Sequence, residues 1–232
     1  MSHEARAHVV IAIDGPAGAG KSTVARQVAC RLGYQYVDSG ALYRAVGWFM
    51  QTRSVPVEDA AAVVACLAQT PLRLTFQAGV CQIWVAGECM TTQLRGEAAG
   101  RAASVVARFP GVRAVITAQL RHLGTQADIV MEGRDIGTVV FPEARLKFFL
   151  DAALAVRGQR RAQEMQRGDN EVPSTHIVEA IAARDRQDQE RVEAPLVQAV
   201  DAQRIDTTDL TVDEVVHAML SEIHRVLDGE RG

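Results

Sequence analysis

Short apolar runs alternate along this chain with stretches whose apolar residues recur every three or four positions, the rhythm of a parallel sheet covered by helices on both faces. The runs at 8–13, 34–37, 128–132, 146–150 and 203–206 predict strands. Two of them, Ile129-Val130-Met131 and Phe148-Phe149-Leu150, are apolar without alternation, as strands buried on both sides are. Helical spacing predicts 22–32, with Val24, Val28 and Leu32 on one face, Cys30 on the same apolar side and Gly33 as the stop. It also predicts helices over 57–69 and over 111–123, the latter entered by Pro110. A last helix over 212–227 opens on the capping box Thr211-x-x-Glu214 and turns Val212, Val215, Val216, Met219, Ile223 and Val226 inward. One stretch breaks the rhythm. The runs 72–76 and 82–85 alternate on either side of Ala78-Gly79-Val80, which predicts a β-hairpin and a small antiparallel insertion on the main sheet over 70–95.

Composition narrows the class without naming the chemistry. With 232 residues, 48% hydrophobic and 23% charged, the chain can bury a core as one α/β unit with insertions. A net charge of −3 leaves no basic footprint for nucleic acid. Cys30, Cys66, Cys81 and Cys89 have neither C-x-x-C spacing nor evident metal partners, and nothing in them argues for an oxidising compartment. No signal-type apolar region precedes the first strand, and no apolar run reaches the roughly 18 residues of a membrane span. The expectation is a cytoplasmic protein with no membrane and no nucleic-acid partner. The six histidines are scattered and are given no role.

The densest chemistry is Gly15-Pro-Ala-Gly-Ala-Gly20-Lys21-Ser22, between an apolar strand and a helix start. This is the G-x-x-x-x-G-K-[ST] phosphate loop in its required context. Its glycines let successive backbone N–H groups point at a polyphosphate, and the helix N-terminus adds its positive end. Lys21 is expected at the β/γ-phosphates and the Ser22 hydroxyl on Mg²⁺. Only Lys21 and Lys147 are lysines among 25 basic residues, so a lysine stands where a compact, flexible ammonium suits the task.

Four further clusters are candidates for an anionic partner. In Asp38-Ser-Gly-Ala-Leu-Tyr-Arg44, Ser39 is expected as helix N-cap and phosphate ligand, with Arg44 one turn on; the alternative is a cap alone and a solvated arginine. Glu132-Gly-Arg134-Asp135-Ile-Gly137 lies at the C-terminal end of a buried strand, where open α/β sheets bind ligands, and holds either a structural ion pair or a substrate clamp. Arg157, Arg160 and Arg161 share one face of a predicted helix, so a cationic face could close over a transferring phosphoryl group; a merely solvated face is the alternative. Arg184, Asp188 and Arg191 recur on one helical face, as a simple i,i+4 pair or as ligands for hydroxyls and phosphate.

Taken together these segments resemble the bacterial cytidylate kinases, within the nucleoside monophosphate kinases. The matching stretches are GPAGAGKST (15–23), DSGALYR (38–44), Ser104 to Arg113, EGRDIGTVVFP-x-A (132–144) and RD-x-x-D-x-x-R-x-x-APL (184–196), in order over nearly the whole chain. Gly96 and Gln187 depart from the family's pattern. The resemblance implies a P-loop NTPase-type parallel sheet with helices on both faces, a β insertion in the monophosphate-binding lobe and a helical lid. Its implied layout is a single kinase unit: core 1–40, 110–153 and 190–232, lobe 41–109, lid 154–172. It further implies that Gly15, Pro16, Ala17, Gly18, Ala19, Gly20, Lys21, Ser22 and Thr23 hold ATP, with Mg²⁺ on Ser22. Ser39, Arg44, Arg134, Arg184, Asp188 and Arg191 would hold the ribose and phosphate of CMP or dCMP. Ser104, Arg113 and Asp135 would read the cytosine, and Arg157, Arg160 and Arg161 would serve catalysis from the lid. A monomer acting on small nucleotides is expected. Two rivals remain at this level: a P-loop kinase with another acceptor, such as UMP, dTMP or a small alcohol, and a non-catalytic ATP-dependent switch.

Overall fold

A computed structural model describes residues 8–90, 94, 97–166 and 174–229. The Leu94-Arg95-Gly96 hinge and the Arg167-Gly168-Asp169-Asn170 end of the lid fall wholly or partly outside them. The chain divides into two compact units, one of residues 1–10 and 33–131, the other of 11–32 and 132–232, so the division falls within two strands. The fold class is the expected one, α/β with a mostly parallel sheet.

The second unit holds β1 (Val10–Asp14), β7 (Leu146–Asp151) and β8 (Gln203–Asp206), parallel neighbours in the order β1-β7-β8. Their register pairs Ile13 with Phe148 and Leu150 with Ile205, and these side chains are buried. α1 (Lys21–Leu32) packs its Val24, Ala25, Val28 and Ala29 face inward, near α8 (Val212–Asp228). Cys30 is exposed, contrary to its expected place, because it lies half a turn from Val28. The capping box on α8 forms on both sides, Thr211 accepting from the Glu214 N–H and Glu214 from the Thr211 N–H. Val215, Val216, Met219 and Ile223 are buried, whereas Val212, in the first turn, is 38% exposed. α6 (Leu154–Gln166) and α7 (Ser174–Gln189) form a helical pair.

The first unit orders its strands β3-β4-β2-β6, from β2 (Gln35–Asp38), β3 (Leu72–Gln77), β4 (Val80–Val85) and β6 (Ile129–Glu132), the last ending at the division. The expected hairpin is β3–β4, joined by a two-residue turn in which Ala78 and Gly79 both have positive φ. A short β5 (Glu88–Cys89) adds a third antiparallel strand, and β4 runs parallel to β2, which ties the insertion to the sheet. α2 (Ser39–Thr52), α3 (Ala60–Ala68), α4 (Glu97–Val106) and α5 (Pro110–Gly124) complete the unit. Asp59 caps α3, so that helix starts later than the apolar spacing predicts. The spacing does not predict α4 at all, because its inward face is mostly alanine, Ala99, Ala102 and Ala103, closed by Val106.

Those small residues let α2 and α4 pack at close range. A Cβ built on Gly47 of α2 would lie 2.8 Å from the Ala102 Cβ and 3.0 Å from its carbonyl carbon. Backbone cannot yield there as a side-chain tip can. Gly47→Ala should therefore lower stability by about 1–3 kcal/mol, read as a lower urea midpoint; an unchanged midpoint would mean that the two helices can separate freely.

Candidate active site

The phosphate loop is shaped by where its carbonyls go. Gly15, Gly18 and Gly20 have φ of 147°, 77° and 87°, values that L side chains resist. A Cβ on Gly15 would meet the Leu150 carbonyl oxygen at 1.9 Å, so the loop lies directly on β7. The Pro16 carbonyl accepts from Lys21 Nζ (2.7 Å), Ala17 from Arg157 Nη1 (3.0 Å), Ala19 from the Thr207 hydroxyl (3.2 Å) and Gly20 from the Val24 N–H (3.1 Å). With these carbonyls tied back to protein and the Ala17 N–H held by Asp185 Oδ1 (3.0 Å), the N–H groups from Gly18 into the first turn of α1 are left to face an anion. Ser22, the expected Mg²⁺ ligand, is exposed at the second position of α1.

Lys21 sits in this cradle only 5% exposed. Burial, and then the nearby Arg134 guanidinium, pull its ammonium down to about 7, against Glu132 and Asp14, which hold it up; Arg184 adds to the depression. Asp14, the last residue of β1, is itself pushed up to about 6 by burial although it accepts from the Gly137 N–H (2.7 Å) and the Ile136 N–H (2.8 Å). Those two bonds anchor a π-helical turn, Ile136–Val140. The turn packs closely at Gly137, where a Cβ would lie 3.1 Å from the Lys147 side chain. Lys147, the chain's other lysine, is buried and bonds to Asp201 and the Pro142 carbonyl.

In the same unit Asp188 of α7 binds Arg134 Nε (2.9 Å) and lies 3.4 Å from Arg191. The three predicted lid arginines part company. Arg157 is 8% exposed and paired with Asp185, so the expected exposed cationic face does not include it; the neutralising acid comes from α7, which spacing within α6 cannot show. Arg160 bonds to the Thr207 hydroxyl and carbonyl, and its Nη1 lies 4.0 Å from a Cβ built on Gly20, beside the phosphate loop. Arg161 is at the surface with Glu164 at i+3.

In the first unit Asp38, not Ser39, is the N-cap of α2, accepting from the Ala41 N–H, because the strand runs one residue short of where Ser39 would cap. Ser39 is buried in the first turn. Asp38 also binds Arg44 at 2.6 Å, so Arg44 turns back on its own helix start. Arg113 is buried, donates to the Ala107 carbonyl (3.3 Å) and lies over the Tyr43 ring at 5.6 Å. Ser104 is half-buried on α4. Sequence reasoning missed Asp14, Glu132, Asp185 and Thr207. Its one available signal was a lone acid at the end of each of two apolar strands, Asp14 and Glu132.

A family model described as cytidylate kinase matches residues 11–225. A cytidylate kinase of Bacillus licheniformis is 40% identical over 216 residues, covering 93% of this chain and 96% of that protein. A bifunctional pantoate ligase/cytidylate kinase of Synechococcus sp. is 43% identical over 224 residues, 94% of this chain. The chain spans only 41% of that bifunctional relative's length. A solved structure of an uncharacterized protein from Eubacterium ventriosum aligns over 93% of this chain and 98% of its own, with TM-score 0.53 and 11% identity, a likeness of fold alone. No helix among the described residues is long and apolar enough to cross a membrane, and none of their His, Cys, Asp and Glu residues group as a metal site.

Lys21 gives the site a pH signature. The ligand-free protein lacks this proton above about pH 7 and holds it below. A polyphosphate placed over the ammonium restores it. Calorimetric titration with MgATP, in buffers of different ionisation heat, should therefore show uptake approaching about one proton near pH 8.5 and falling towards zero near pH 6. An uptake independent of pH would contradict the lowered lysine.

Proposed function

The chain belongs to the cytidylate kinase family, and on that premise we propose that it transfers the γ-phosphoryl group of ATP to CMP or dCMP, giving ADP and CDP or dCDP. The observation that carries the reading is the convergence of cations in one unit. Arg134 and Arg184 stand close enough to Lys21 to lower its proton affinity, at the mouth of a loop whose carbonyls are turned away. Like charges crowd together where anions are to be bound.

In this reading Gly15 to Thr23 cradle the ATP phosphates, with Lys21 on the β/γ oxygens. Ser22, with the phosphates, would hold Mg²⁺, which would supply neutralisation of the phosphate charge. Ser39, Arg44, Arg134, Arg184, Asp188 and Arg191 hold the ribose and phosphate of the acceptor. Arg44 must then exchange Asp38 for that phosphate. The acceptor is already an anionic oxygen, so no general base is needed. Its lone pair attacks the γ-phosphorus in line, the bond to the bridging oxygen breaks, and ADP leaves with that electron pair. The work of the protein is positioning and charge neutralisation, which Lys21 and Arg160 supply from beside the loop. Arg161 is assigned to the closing lid. Closure excludes water and so suppresses hydrolysis of ATP.

Cytosine offers an N4 amine where uracil has a carbonyl. Asp135, 5% exposed and at the head of the π-helical turn, accepts from that amine in our reading, while Arg113 donates to O2 and N3 and Ser104 assists. The enzyme is read as a soluble, cytoplasmic monomer of pyrimidine nucleotide metabolism. A coupled assay of ADP release should rank CMP and dCMP well above UMP and dTMP, and Asp135→Ala should erode the CMP-to-UMP ratio by about tenfold or more. Equal turnover of all four acceptors, or ATP binding with no acceptor-dependent ADP, would sink the assignment.

A further inference from the structure

We propose that Arg157 and Asp185 are positioning residues that clasp the phosphate loop at Ala17, and that their charges are spent on this rather than on the transferring phosphoryl group. The inference rests on reading the loop as the ATP cradle and adds what holds it in shape. Asp185 Oδ1 accepts from the Ala17 N–H at 3.0 Å, and Arg157 Nη1 donates to the Ala17 carbonyl at 3.0 Å. The same nitrogen binds the other carboxylate oxygen of Asp185, which closes a ring of hydrogen bonds around one loop residue. Arg157 Nε donates to the Ala152 carbonyl at 2.9 Å, just past β7, so the ring is fastened to the sheet. Both side chains are nearly excluded from water, at 8% and 7% exposure. Gly18 completes the contact, because a Cβ there would lie 2.9 Å from the Arg157 carbonyl oxygen.

Such a clasp has a physical reason. Three glycines with positive φ give this loop more unbound conformations than an ordinary turn, and an anion that had to order them would bind more weakly. Holding Ala17 by its N–H and its carbonyl fixes the peptide planes on either side of it. The N–H groups further along, from Gly18 into α1, are then presented before any ligand arrives. The Ala17 N–H is committed to Asp185 and takes no part in binding phosphate. A guanidinium neutralised by a buried carboxylate also has little field left for a transition state. Among the α6 arginines that leaves Arg160, beside Gly20, for phosphate work.

The test is direct binding, measured with MgATP by calorimetry on the full chain. Asp185→Ala, which removes both acceptors, should weaken MgATP binding about 10–100-fold. Asp185→Asn keeps an oxygen for the Ala17 N–H and should recover much of that loss. In Asp185→Asn the urea midpoint should fall, because the buried Arg157 guanidinium loses its counter-charge, whereas CMP binding by the folded variant should stay near that of the native chain and amide exchange should quicken first over 15–20. Equal losses of ATP and CMP affinity in Asp185→Asn would make the pair a general structural one and overturn the proposal. So would unchanged MgATP affinity in a folded Asp185→Ala, or an Arg157→Lys variant that loses kcat while binding MgATP normally. A native chain that binds MgATP but fails to turn over CMP would refute the proposed acceptor and leave the clasp standing.

Discussion

The arrangement depends on burying a lysine ammonium without neutralising it. Taking such a group out of water is costly unless negative charge stands against it. Two strands end where that charge is needed, β1 at Asp14 and β6 at Glu132, and α1 starts at Lys21 itself. Burial first, and then Arg134 and Arg184 set against the two carboxylates, leave the ammonium holding its proton weakly. The free site is therefore short of negative charge, and a polyphosphate supplies what the fold withholds. The same shortage disfavours neutral ligands, since only an anion relieves the crowding. Asp14 shows the other side of the balance. Buried and tied to two N–H donors, it positions the turn that starts at Ile136 and Gly137 rather than screening Lys21 fully.

Much of this was legible in the sequence, wherever a local rule decides the outcome. The strands were, because uninterrupted runs such as Ile129-Val130-Met131 have few alternatives in an α/β chain. The α8 capping box and the phosphate loop were too, because each is a short-range pattern with one backbone solution. What escaped was decided at longer range or by small residues. α4 buries alanines, which carry almost no periodic signal until Gly47 of α2 is seen against Ala102. The π-helical turn at Ile136–Val140 exists because Asp14, more than a hundred positions away, captures two of its N–H groups. The choice between Asp38 and Ser39 as cap turned on a single residue of register, and Asp38 won by satisfying Ala41 and Arg44 together.

The arginines show why a site made of charges is harder to read than a core made of methyls. Apolar side chains at i, i+3 and i+4 meet one environment, because burial is shared across a face. Arg157, Arg160 and Arg161 have the same spacing and meet three: a carboxylate and loop carbonyl, a threonine beside the phosphate loop, and open surface with Glu164. A long side chain ending in a directional group goes where its partner is, and the partners here belong to other elements. The placement of acids, more than that of arginines, therefore determines which cations remain to meet a substrate. α7 does this with two aspartates one turn apart. In the proposed clasp Asp185 spends Arg157 on the loop, and Asp188 pairs with Arg134 and lies beside Arg191. In a chain whose acids outnumber its bases, 28 to 25, a phosphate site is made by the acids that stand back from it.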